Sequence, residues 1–397
     1  MATRVSPSLH DEQHVRRTKN WFWSIRPLIL WMRILGVDLP DASTSSSRRH
    51  RWPMYIYGLV CFSTHAFSQV NIVHSLVFKR EYINCNDNPD GLPLYDTVTA
   101  VWNWIIDFIN YAVYGIGIHF MLLTLIRLRW NGLGNTFHQY QNVFTDENYD
   151  RLRKVSSFCV AYVILLISGL TAVTLIQQTA DGNSTFRMFI TVMSTLSVLY
   201  PTTAIMVFAV HCYASALAFD LIQEQIQRCE IELSNGRDLY LFVLTMRQKY
   251  VAVCNGVDAV NHCFGWMLLL STVFIFVAVV NSIFYLFSSH NPSMSDYAFL
   301  SFSLIHAINM CFSADLIRCK AKDMIRRLLR LKCTNQHLKE FQMEMEFLIM
   351  DMTQAIPHIS ASDYFNISKG LFPQLIGTTL TYFFILYQFQ ASEKKDI

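Results

Sequence analysis

Apolar runs near residues 54–78, 98–126, 155–178, 186–219, 260–287, 297–317 and 370–390 alternate with polar segments along the whole chain. Each run can cross a bilayer core, which takes about 20 helical residues. The pattern therefore predicts an all-α membrane protein of seven transmembrane helices. Several polar segments keep a helical period of their own. Residues 220–259 carry apolar positions at helical spacing, interrupted once at Asn235-Gly236, and predict a helical hairpin that prolongs the fourth and fifth spans. Residues 314–331 prolong the sixth span, and 336–356 form an amphipathic helix rich in Met and Phe. Ahead of the first span, the apolar-aromatic patch 21–37 predicts a membrane-surface or bundle-packed helix, followed by the polar basic linker 42–51.

Charge placement sets the orientation. Of 32 Lys and Arg, 27 fall in segments 1–52, 127–154, 220–259 and 318–369, and five fall in the alternate segments. Basic residues stay on the cytoplasmic side. The amino terminus is expected to be cytosolic and the carboxyl terminus extracellular. No cleavable signal peptide is evident, so the first span is expected to act as its own anchor. The composition, 52% hydrophobic and only 15% charged, excludes a soluble domain.

Of ten cysteines only Cys85 is expected in an outside loop, which leaves no extracellular pair for a disulfide. No metal-ligand spacing, phosphate loop, nucleophile elbow or zinc-binding helix occurs, and the chain is read as no enzyme, with no metal, no cofactor and no nucleic acid partner. Asn183, in an Asn-Ser-Thr triplet of an outside loop, is a glycosylation acceptor; Asn366 also matches but falls inside.

Polar groups within the spans are functional candidates by default. In the second span Asn103, Asp107, Asn110 and Tyr114 recur at four, three and four, on one helical face, with Trp102 and Trp104 near the outer end. This stripe is either a ligand pocket open to the outside or a buried hydrogen-bond network. His65 and Gln69 make a one-turn pair in the first span, His211 sits in the fourth, and His306 lies in a sixth-span stripe with Ser303, Met310 and Ser313. In the last span Gln374, Thr378, Thr381, Ile385 and Gln388 form a single uncharged seam, with Phe389 one turn beyond Ile385. A ring of identical helices could enclose water along such a seam, and apolar rings in a pore gate by dewetting. A packing seam within one subunit is the other reading of the same spacing.

Thr381-Tyr382, then five apolar residues, then Gln388-Phe389 resembles the signature that closes the last span of arthropod gustatory receptors, and residues 359–377 resemble that family's approach to the span. Asp363 stands where a glycine is common in the family. The resemblance implies a ligand-gated nonselective cation channel, related to insect odorant receptors, that assembles as a homotetramer or with related receptors. It implies a small-molecule tastant, sugar or bitter compound, as ligand, with Na, K and Ca as permeant cations. The location it implies is the lipid of the plasma membrane of chemosensory neurons. Under it the chain divides into a cytosolic amino-terminal segment 1–52, a six-helix ligand-binding bundle 53–318 containing the hairpin 220–259, and cytosolic helices of an assembly core at 319–369. A pore-lining helix 370–390 and an extracellular tail 391–397 complete it. Gln374, Thr378, Thr381, Tyr382, Ile385, Gln388 and Phe389 would form the pore and gate; Trp102, Asn103, Asp107, Asn110, Tyr114, His65, Gln69 and His306 would face the ligand. A seven-span G-protein-coupled receptor is disfavoured by the orientation, and a transporter by the lack of inverted repeats.

Overall fold

The computed structural model describes residues 19–39, 52–86, 114–180, 185–232, 236–288, 294–334 and 339–393. Almost all of them are helical. Two short helices, α1 (Trp21–Ser24) and α2 (Arg26–Ile34), precede the long α3 (Trp52–Asn86). A continuous helical rod follows, comprising α4 (Gly117–Met121), a π-helical stretch Leu122–Ile126, and α5 (Arg127–His138). Then come α6 (Asp146–Ala180), α7 (Thr185–Glu232), α8 (Gly236–Ser288), α9 (Met294–Thr334), α10 (Lys339–Gln354) and α11 (Leu371–Glu393). By length and composition Asp146–Gln177, Val198–Arg228, Tyr240–Phe284 and Tyr297–Leu331 can each cross a membrane, and Leu371–Ile385 is a shorter apolar stretch.

The helix α7 is the axis of the bundle. It packs on α3, α6, α8 and α9, and its segment 200–222 is buried nearly all round. Lipid cannot contribute that burial, so the small residues Ala204, Ala214, Ala216 and Ala218 let neighbouring backbones come close. The amino-terminal patch proves to be bundle-packed: Trp21, Ile25, Leu28, Ile29 and Met32 are all buried, and α1 and α2 lie on α6. Asn20 caps α1 through its side chain, which accepts from Trp23 N–H at 2.9 Å. The connection from α2 turns at Gly36, whose φ of +82° needs glycine. A Cβ on Gly58 would collide with the Gly36 carbonyl oxygen, so this crossing requires glycine on both segments.

Charges gather at one end. Arg33 and Arg127 flank Asp38 at 3.6 and 3.7 Å, Lys19 meets Asp150, Lys320 meets Asp220, and Arg247 meets Asp351. These residues belong to the segments richest in Lys and Arg. At the same end Tyr140 is buried, donating to Val253 O at 3.2 Å with Ser215 Oγ at 3.3 Å, and burial pushes its hydroxyl pKa well above the usual value.

Two expectations need correcting. Cys85, expected in an outside loop, lies in the last turn of α3, because the helix continues past the apolar run. Residues 319–369, expected to be helical, contain a small antiparallel hairpin in which β1 (Ile359–Ser360) pairs with β2 (Asn366–Ile367). Its turn puts Ser362 and Asp363 at φ of 48° and 62°. Aspartate tolerates this left-handed region better than most residues.

Candidate functional site

Two polar constellations are positioned by this bundle. The first surrounds Tyr200 and Pro201 of α7. Pro201 has no N–H, which breaks the hydrogen-bond ladder inside α7 and leaves neighbouring helices to satisfy the backbone and side chains around it. Each residue beside it reaches a different element. Tyr200 stacks on His119 at 3.6 Å between ring centroids and on His65 at 5.0 Å, and its hydroxyl points to Leu35 O. Thr203 Oγ1 accepts from Trp31 Nε1 at 3.2 Å, and Thr202 Oγ1 lies 3.0 Å from His306 Nε2.

Proton counting orders this network. His306 Nδ1–H donates to Phe302 O at 3.1 Å, so in the neutral ring Nε2 must accept from the Thr202 hydroxyl. That hydroxyl is also 2.6 Å from Val198 O, and its single proton has two acceptors. A second place holds surplus polarity. His65 Nδ1 and His119 Nδ1 are 3.1 Å apart, while Nε2 of both rings and both amide atoms of Gln69 have no hydrogen-bond partner. Gln69 is 0% exposed. Buried polar groups left unpaired cost about 1–3 kcal/mol each, so such a cluster is kept for a reason other than stability.

The proposed ligand residues are thus partly brought together. His65 and Gln69 sit on one side of Tyr200, and His306 reaches the neighbouring Thr202 from α9. Tyr114 is buried on another face, stacked on Phe274 at 3.5 Å with its hydroxyl toward Ser271. Trp102, Asn103, Asp107 and Asn110 lie outside the described residues, as does Asn183. His211 bonds Val207 O at 2.7 Å and is ringed by Trp21, Trp130, Phe137 and Phe264. Sequence reasoning missed His119, Tyr200, Thr202 and Thr203. His119 is five residues beyond Tyr114 and so off the stripe that ends there; the signal for the others is a proline inside an apolar run with Tyr, Thr and Thr around it.

The second constellation is α11. It packs on α8 and α9 through Leu375, Ile376, Thr379 and Phe383. Gln374, Thr378, Thr381, Ile385 and Gln388 are exposed on the opposite face. Thr378 and Thr381 donate to the carbonyls of Gln374 and Gly377, which lowers the cost of holding hydroxyls on an apolar helix. Tyr382 is exposed at the edge of Phe276, 5.8 Å between centroids, and Phe389 lies on α11 two turns beyond it. The turn before α11 is tied down: Lys369 Nζ is 3.6 Å from Asp315 Oδ2 of α9, and Asn261 of α8 clamps the hairpin by donating to His358 O and accepting from Ser360 N–H.

Long apolar helices packed on a mostly hydrophobic core that holds a few polar clusters, with one helix showing a polar seam outward, fit a multi-pass membrane protein. The sequence profile of the 7tm chemosensory receptors matches residues 25–393, and the chain belongs to that family. This is a family of chemoreceptors, not of enzymes. The fold is that of the insect olfactory receptor OR5 from Machilis hrabei, with a TM-score of 0.65 at 11% identity over 92% of this chain and 97% of that one. The same receptor in complex with eugenol gives a TM-score of 0.52 at 10% identity, with the same coverage. No curated protein sequence matches.

Proposed function

We propose that the chain is a gustatory receptor that forms a ligand-gated nonselective cation channel, opened by a small tastant. The observation that carries this reading is the face of α11: its uncharged polar seam is turned away from the bundle, where it has no use as internal packing. Four copies arranged with α11 at the centre would line a water-filled path with Gln374, Thr378 and Thr381, and would close it at Ile385, Gln388 and Phe389. Exposed Leu241, Leu244, Met343, Phe347 and Met350 on the cytosolic extensions support assembly there, since apolar side chains outside the bilayer need a partner surface.

The ligand would contact His65, Gln69, His119 and Tyr200; Asn103, Asp107 and Asn110 remain candidates on the strength of their spacing in the sequence. The relative's complex with eugenol supports a small, uncharged organic ligand. Plasma-membrane location in chemosensory neurons, a cytosolic amino terminus and glycan on Asn183 complete the reading. Whole-cell recording from cells expressing this protein alone, with sugars, plant alkaloids and eugenol applied in turn, tests it. An agonist-evoked cation current is the expected result; responses that need a G protein and lack unitary currents would overturn it.

A further inference from the structure

The face of α11 that packs on the bundle holds a cavity with an unspent polar group. Ile275 and Val279 of α8, Leu304 and Ala307 of α9, and Ile376 and Thr379 of α11 are among the residues lining a niche of about 10 Å³, partly open on one side. Thr379 is 1% exposed and its hydroxyl has no partner. That is unusual within this chain, where Thr378, Thr381, Thr272 and Thr171 all return their proton to the carbonyl four residues back. Water does not suit the niche. One molecule would fit by size, but a buried water needs about two to four polar partners and the lining offers one hydroxyl. A charged group is excluded by the absence of any ionisable side chain in the lining.

We propose that this niche is a modulatory site for a small uncharged alcohol dissolved in the membrane. A hydroxyl both donates and accepts, so it pairs with Thr379 whichever way that rotor turns. The hydroxyl takes the single water-sized place, and the alkyl chain leaves through the open side along the apolar walls of α8 and α9. The occupant wedges between α11 and the bundle, on the face opposite the polar seam. On the reading that α11 lines the pore, this shifts the balance between closed and open positions of the helix without touching the tastant site near Tyr200.

The test uses the purified full-length protein and a photoactivatable octanol carrying a diazirine, with butanol and butane as competitors. Adducts are expected within residues 271–280, 302–308 and 372–380, with butanol protecting better than butane. Ala307→Leu fills the niche and should cut labelling about tenfold, since one methylene of apolar fit is worth about that much. Thr379→Val keeps the shape and removes the hydroxyl, so labelling should persist while the preference for butanol over butane is lost. In recordings butanol should alter wild-type current and leave Ala307→Leu current unchanged. Labelling that ignores both substitutions overturns the site. Labelling as expected in a protein that passes no current overturns the pore reading and leaves the site standing.

Discussion

The Nδ1 atoms of His65 and His119 face each other at 3.1 Å, with the ring of Tyr200 stacked against both. Only one proton can lie in that gap, donated by one ring and accepted by the other, so the two histidines act as a unit. Residues in direct contact are not additive, with coupling of about 0.5–3 kcal/mol. A double-mutant cycle of His65→Ala and His119→Ala, read as half-maximal agonist concentration, should therefore show non-additivity of at least about 0.5 kcal/mol. Strict additivity would mean that the pair is not a shared element of the ligand site.

Gly256 of α8 and Tyr140 pack so closely that a Cβ at position 256 would collide with the tyrosine hydroxyl. Overpacking of this kind costs about 1–3 kcal/mol. Gly256→Ala should lower the melting temperature in detergent, and Tyr140→Phe in the same chain should recover part of the loss by removing the nearest clashing atom. Unchanged melting in the single variant would contradict this contact.

Lys369 and Asp315 link the turn before α11 to α9. The lysine is largely exposed and the carboxylate is not, and Asp315 also accepts from Cys319 Sγ–H. An exposed partner is worth about 0–1 kcal/mol in stability, so the effect should be on gating more than on folding. Lys369→Met should change basal current at constant surface expression, and the exchange of Asp315→Lys with Lys369→Asp should restore it in part.

Ile385 is 42% exposed and Phe384 58% exposed, on adjacent strips of α11. If the seam faces a pore, cysteine at 385 should react with water-soluble thiol reagents faster when agonist is present, while cysteine at 384, turned to lipid or a neighbouring subunit, should stay unreactive. Phe389→Ala should raise current without ligand by removing the bulk of an apolar constriction. Labelling at 384 with none at 385 would place the pore on the other strip.

An epitope after Ile397 should stain on intact cells, and one before Met1 only after permeabilisation. Asn183 should carry glycan and Asn366 should not. The expectation rests on the uneven distribution of basic residues, and inverted staining would reverse it.

The helices were legible in the sequence because each needs only its own residues: an apolar run of sufficient length must be helical in lipid, as at Tyr297–Leu331. The α11 seam was legible too, since a helix of known period fixes which side chains share a face, and packing through Thr379 and Phe383 leaves that seam outward. The meetings between helices were not. His65 and His119 are 54 positions apart, and Thr202 and His306 are 104 apart. Nothing in either segment alone says that they touch, because rotation and depth of each helix are decided by the side chains of its neighbours. The same reason hides Thr379: its place in the sequence is that of any helical threonine, and only the walls of α8 and α9 leave its hydroxyl facing an apolar niche.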